Sequence, residues 1–202
     1  ITAYHEAGHA VLASLLPNAD PVHKVSIVAR GRAGGYTLKL PVEDRRLQSK
    51  KEFLDDIAMS LGGYVAEELI FGDVTTGPSN DLQVSTSLAR AMVTRWGMSD
   101  AIGPVALESD GGKIIHGYVD GGKDYSEEMS AVIDREVKKI MTDSLELARK
   151  TIGENKKVLD AIAKKLLEVE TLEQDEYNKL IMTFGIKPKK REEGKEAIDI
   201  VG

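Results

Sequence analysis

The sequence has no cysteine in its 202 residues. Disulfides and thiolate-based zinc sites are therefore excluded. It has no apolar run near the ~20 residues needed to span a bilayer, and no signal-peptide pattern. It has no excess of positive charge. Lys and Arg number 27 against 33 Asp and Glu, the net charge is −6 and the pI about 5.3. This balance argues against a general nucleic-acid binder and against a basic membrane-surface patch. It has no internal repeat. What remains is 42% apolar and 30% charged residues, the balance of a globular protein. The length suits one well-cored domain, or one domain with a tail.

The most informative segment is His5-Glu6-Ala7-Gly8-His9. It reads H-E-x-x-H, the zinc-peptidase spacing. On a helix, residues four apart lie roughly 40° apart on one face and about 6 Å along the axis. Two imidazoles so placed reach one metal. Glu6 sits beside them, where a carboxylate can take a proton from a water activated by that metal. The flanks Ala3, Ala7, Ala10, Val11, Leu12, Ala13, Leu15 and Leu16 are apolar nearly all round, as in an enclosed helix. Polar side chains in such a helix need partners, and a metal supplies them. The helix is expected over 1–16, stopped by Pro17-Asn18. The sequence begins almost inside it, so a piece of a longer protein is expected.

Alternation over Val22–Arg30 predicts a strand, and Gly35–Leu40 a second that could pair with it. Ser49 and Glu52 form a capping-box pattern opening one helix to about Phe71, with Gly72 as its stop. Gly62-Gly63 inside it points either to close approach of another helix, with the histidine-bearing one as a candidate, or to a kink. Ser79 or Asn80 is expected to cap a helix ending at Gly97. A short strand is expected near Val105–Leu107, and an exposed loop over Asp110–Lys123. Three helices should follow: 126–150, 155–169, and one opened by a Thr171/Gln174 capping box. The fold class is mainly α with a small β-sheet (α+β). Residues 1–185 are expected to form the domain, and 186–202 a charged, mobile tail.

A hydrolytic zinc site needs a third protein ligand and an open position. A metzincin extension would place a histidine at position 15, which is Leu15. The remaining candidates are His23, Glu67, Glu68, Asp73, Asp81 and His116. A carboxylate on a neighbouring helix is favoured, which leaves Glu67, Glu68 and Asp81 open.

The ordered set HEAGHA (5–10), DPVHKVSI (20–27), RGRAGGYTLKLP (30–41), GGYVAEELIFGDVTTG (62–77), NDL (80–82) and WGMSDAIGP (96–104) resembles the peptidase domain of the FtsH family. These are membrane-anchored, ATP-dependent zinc proteases of bacteria, mitochondria and chloroplasts, with roles in protein quality control. The resemblance runs from Ile1 to about Phe184. It implies one Zn2+ per chain, with His5, His9 and Asp81 as ligands, Glu6 as the catalytic base and Glu67 supporting a ligating histidine. It implies polypeptide substrates, and ATP used only through an ATPase module absent from this sequence. It further implies a homo-hexamer in the full-length protein, at the cytoplasmic face of a bacterial inner membrane or an organelle counterpart. The membrane is reached only through segments outside this sequence, and this chain by itself is expected to be soluble. His116-Gly117 departs from the family pattern, in a loop usually more apolar before its glycine.

With a peptidase in view, the strand Gly35, Tyr36, Thr37, Leu38, Lys39, Leu40 gains a role. An exposed strand edge beside the active-site helix can hold a polypeptide extended through main-chain hydrogen bonds. Two rival classes are a binding module with structural zinc and a metallohydrolase acting on a small molecule.

Overall fold

The computed structural model describes residues 1–29, 35–39, 47–108, 114–115, 118–119 and 125–189. In chain order the elements are α1 (Thr2–Leu15), β1 (Val22–Ser26), β2 (Tyr36–Lys39), α2 (Lys50–Ser60), α3 (Gly62–Phe71) and α4 (Ser79–Thr94). They continue with β3 (Ile114–Ile115), β4 (Tyr118–Val119), α5 (Glu127–Glu154), α6 (Lys156–Val169), β5 (Thr171–Glu173) and α7 (Gln174–Met182). The architecture is helical with a small antiparallel sheet, the α+β class expected.

α1 lies at the centre. Ala7, Ala10, Val11, Leu12 and Ala13 are fully buried, so the all-round apolar pattern of this helix is matched by all-round packing. α3 and α6 pack along it. Its approach to α3 is backbone to backbone. A Cβ on Gly8 would stand 2.2 Å from the Gly62 carbonyl oxygen. The glycines thus have the close-approach role that their position suggested.

That contact also explains a departure from expectation. Residues 49–71 form two helices, not one, with a break at Leu61 (φ −78°, ψ −2°). Adjacent glycines offer the least resistance to a bend. The Ser49/Glu52 capping box opens α2, and Gly72 ends α3 in the left-handed region at φ 69°.

The sheet order is β2-β1-β5, so β2 is an edge strand. β1 is shorter than expected. After Ser26 the Val28 N–H bonds to the Ser26 hydroxyl and the Ile27 N–H to the Glu170 carbonyl, which end the ladder. Residues 171–173 are strand β5, with Val25 opposite Leu172 and Ser26 opposite Thr171. The Thr171 hydroxyl meets Ser26 Oγ at 2.8 Å, so no capping box forms and α7 has no side-chain cap. Cross-strand pairing has overridden the local capping signal.

Three smaller expectations also change. α4 starts without a side-chain cap, at Pro78 instead of Ser79 or Asn80. Residues 105–107 form no strand. The Leu107 and Glu108 N–H groups both donate to the Thr94 carbonyl and close the end of α4. Part of the expected 110–123 loop is the hairpin β3–β4.

Arg30, Leu40, His116 and residues 190–202 lie outside the described residues. Of the expected tail, Ile186 packs against the main core. The Lys189 ammonium donates to the carbonyls of Ala13, Leu16 and Ala19, the last at 2.6 Å. These belong to the C-terminal end of α1 and its exit loop, where a cation is favoured. Among the described residues, no helix is long and apolar enough to cross a membrane.

Candidate metal centre

His5 and His9 occupy successive turns of α1, and each ring is fixed from behind. His9 Nδ1 lies 2.9 Å from the Met59 carbonyl oxygen. A carbonyl only accepts, so Nδ1 carries the proton. His5 Nδ1 lies 2.9 Å from Glu67 Oε1, inside a carboxylate that is 1% exposed. There too the imidazole donates. Both Nε2 atoms are thereby left as acceptors in the neutral rings, and they stand 3.1 Å apart. Asp81 Oδ2, from the first turn of α4, completes the group at 3.3 Å from His5 Nε2 and 3.5 Å from His9 Nε2.

Three electron-rich atoms facing one another repel unless a cation lies among them. The donor set is two imidazole nitrogens and one carboxylate oxygen, which is zinc chemistry. Tetrahedral bonds of 2.0–2.1 Å place ligand atoms about 3.3 Å apart. The observed separations bracket that value, so the residues fit a zinc ion. Among the described residues this is the one group of three or more such side chains close enough to hold a metal.

The charges of the cluster also act on one another, and a proton on His5 Nε2 can take the place of a cation against Asp81. Burial raises the Asp81 carboxyl, but hydrogen bonds with His5 and His9 outweigh it and hold the group well below the usual carboxylate range. Burial lowers the His5 imidazole, and its bonds to Asp81 and Glu67 outweigh that and raise it. Burial raises Glu67, but the Thr75 N–H at 2.8 Å and His5 hold it below its ordinary value. Glu67 is therefore an anion behind His5, the arrangement that orients a ligating imidazole.

Glycines make the room. A Cβ on Gly63 would stand 2.3 Å from His5 Cε1, and one on Gly77 would stand 3.1 Å from Glu67 Oε1. Glu6 is 6% exposed, and its Oε2 accepts from the Thr37 hydroxyl at 2.8 Å. An open cleft of ≈ 900 Å³ runs past these groups. Its lining includes His5, Glu6, His9, Asp81 and Gly35, with Tyr36 and Thr37 of β2.

Other candidates go elsewhere. Glu68 takes a two-pronged bond from Arg149, at 2.8 Å on each oxygen. Asp73 Oδ1 accepts from the Val74 N–H. His23 lies on β1, outside the metal group. Of the strand residues, Leu38 is 40% exposed, and Lys39 pairs with Val22 across the sheet. Sequence reasoning missed three contributors: Met59, Thr75 and the side chain of Thr37. Met59 and Thr75 act through backbone atoms, which leave no residue-type signature.

Comparison with known proteins places these observations in a family. The profile of peptidase family M41 matches residues 1–180. The ATP-dependent zinc metalloprotease FtsH of Pseudothermotoga lettingae is 50% identical over 185 residues, covering 91% of this chain and 30% of that protein. The protein of the same name from Veillonella parvula is 46% identical over 198 residues, 98% of this chain and 31% of its own. That of Bacillus subtilis is 47% identical over 183 residues, 90% and 29%. The chain thus spans under a third of the length of these relatives.

Proposed function

The chain belongs to peptidase family M41, and from that premise we propose that it hydrolyses peptide bonds of extended polypeptides in the cleft beside α1. The observation that carries this reading is the meeting of His5 Nε2, His9 Nε2 and Asp81 Oδ2 at zinc-ligand spacing, next to the buried carboxylate of Glu6. His5, His9 and Asp81 would hold the metal. Bound there, zinc would supply Lewis acidity toward a substrate carbonyl and a water in the site.

The rest is done by the chain. Glu67 and the Met59 carbonyl keep both imidazoles in the tautomer that presents Nε2. Glu6 takes a proton from the attacking water and passes it to the leaving amine nitrogen. β2 is the outer strand of the order β2-β1-β5 among the described strands. It holds the substrate main chain by hydrogen bonds that ignore side chains, which suits varied polypeptides. A zinc serving only as a staple has no use for a buried carboxylate beside it. A pocket walled off from the sheet would suit a small molecule, whereas this cleft has Tyr36 and Thr37 of the edge strand in its lining.

Relatives named as ATP-dependent metalloproteases extend the reading. In the intact protein, an ATPase module delivers unfolded chain to this cleft, within a membrane-anchored hexamer. Residues 1–185 act as the peptidase domain. The test is zinc content and casein cleavage for wild type, Asp81→Ala and Glu6→Gln. Wild type should hold one zinc and cut casein. Asp81→Ala should lose both, and Glu6→Gln should lose cleavage alone. Zinc retained by Asp81→Ala, or casein cleavage by Glu6→Gln, would overturn the assignments.

A further inference from the structure

The edge strand does something at this site besides offering its backbone. Thr37 sits opposite Val25 in the β1–β2 pair, and Val25 is fully buried. Opposite residues in an antiparallel pair share a face, so Thr37 points toward α1. Its hydroxyl donates to Glu6 Oε2 at 2.8 Å and lies 3.3 Å from the Glu6 carbonyl oxygen. Gly35, two residues earlier, falls on the same face. A Cβ there would stand 2.9 Å from Glu6 Oε1 and 3.0 Å from its Cγ. The two oxygens of the carboxylate are therefore treated differently. Oε2 is tied by a hydroxyl, and Oε1 lies against a residue with no side chain.

Building on the reading of Glu6 as the base, we propose that Thr37 is a positioning residue that locks the Glu6 carboxylate and leaves Oε1 as the oxygen that takes the proton. A glutamate side chain has three rotatable bonds, and an untethered carboxylate spends most of its time misaligned. A hydroxyl donating to an ionised carboxylate is a charge-assisted bond, strong enough to select one orientation. Gly35 is the complementary half of the device, since any side chain there would crowd Oε1. The strand that receives the polypeptide thus also sets the base. A displacement of β2 misaligns the substrate and Glu6 together.

The test is steady-state cleavage of a short quenched peptide by the intact zinc-loaded protein, with zinc content and thermal midpoint measured alongside. Thr37→Ala and Thr37→Val should lower kcat about 10- to 100-fold, with KM within about twofold and zinc unchanged. Thr37→Ser, which restores the hydroxyl, should recover kcat to within about threefold of wild type. Alanine adds no atoms, so it carries the test if the valine variant folds poorly. Unchanged kcat in Thr37→Ala would overturn the proposal. So would a loss confined to KM, a loss of zinc, or a serine variant as slow as alanine. Glu6→Gln is the parallel control. If it turns over peptide, the base assignment itself falls. If it is dead while Thr37→Ala runs at the wild-type rate, only the role of Thr37 falls.

Discussion

The core around α1 and the core around α4 hold their shares of the cleft in different ways. The first joins α1, α3, α6 and the sheet, through Leu12, Val25, Val65, Leu159 and Leu166. The second gathers Phe53, Ile57 and Leu61 with Ala89 and Met92 of α4. α2 contributes to both, as does α5, whose 28 residues extend about 42 Å. On the first side the histidines are held by contacts of α1 with α2 and α3. Gly8 and Gly62 touch through backbone, and each imidazole is anchored by its second nitrogen. On the second side Asp81 stands in the first turn of a helix without a side-chain cap. Its side chain is 28% exposed against 12% and 10% for the two histidines. The histidine half of the site is thus more deeply held than the Asp81 half. A metal held by His5, His9 and Asp81 would add a tie between the two cores, which α2 and α5 already join.

Breaking the seam itself should have the largest effect. Asp81→Ala is expected to lose zinc and at least about a thousandfold in peptide turnover. Amide exchange at residues 79–82 should rise to the level of metal-free wild type, while α1 and α3 keep their protection. Equal loss of protection in both halves would show that the site folds as one piece, contrary to the comparison.

Prying the histidine half apart comes next. Gly8→Ala drives a Cβ into the Gly62 carbonyl, a backbone obstacle that cannot rotate away. It should destabilise the chain by about 3 kcal/mol and displace both histidines. Gly153, inside α5, meets no atom within 4 Å of a built Cβ. Gly153→Ala should therefore stabilise by about 0.5–1 kcal/mol. Urea unfolding of the pair separates a glycine needed for contact from one that is not.

Glu67→Gln sharpens the comparison more gently. It keeps the shape behind His5 but removes the charge, so zinc affinity should drop about 10- to 100-fold with the fold intact. Competition with a chelator reads this directly. An unchanged affinity would reduce Glu67 to a spacer.

The histidine half is also the half more legible in the sequence. The helix of His5, Glu6 and His9 announces itself by spacing and by apolar flanks. Gly62-Gly63 points to close approach, and the approach is there. The residues alone left Glu67, Glu68 and Asp81 as equal candidates. Three-dimensional placement separates them, with Glu67 behind His5, Glu68 on Arg149 and Asp81 in front. Short elements were the least legible. β5 is three residues long and exists because β1 lies beside it, so its local signal reads as a cap. The Thr37–Glu6 bond joins residues 31 positions apart, and only the register of the hairpin decides which side chain of the strand faces α1. Leu61 breaks a helix whose apolar pattern runs on without interruption, because the constraint comes from Gly8 on another element.

The smallest effect concerns pH, and it tests whether the seam is electrostatic when no metal bridges it. In the metal-free chain His5 is raised above its ordinary value. Its contribution to stability is full below the unfolded value of ~6.5 and is lost as pH rises through the folded value. Asp81 and Glu67 are lowered. Their contribution is present above ~4 and is lost as pH falls through the folded values. The metal-free cluster should therefore stabilise most between about pH 4 and pH 6.5. Zinc reverses the upper limb. It requires neutral imidazoles, so its affinity weakens below ~6.5 and its stabilisation grows as pH rises. Thermal midpoints from pH 4 to 8, with zinc and with chelator, should diverge steadily toward alkaline pH. In Asp81→Ala the divergence should vanish, and much of the metal-free maximum should go with it. A metal-free chain whose midpoint climbs from pH 6 to 8 would mean that His5 stays neutral against its carboxylates and that the two cores meet without an ion pair.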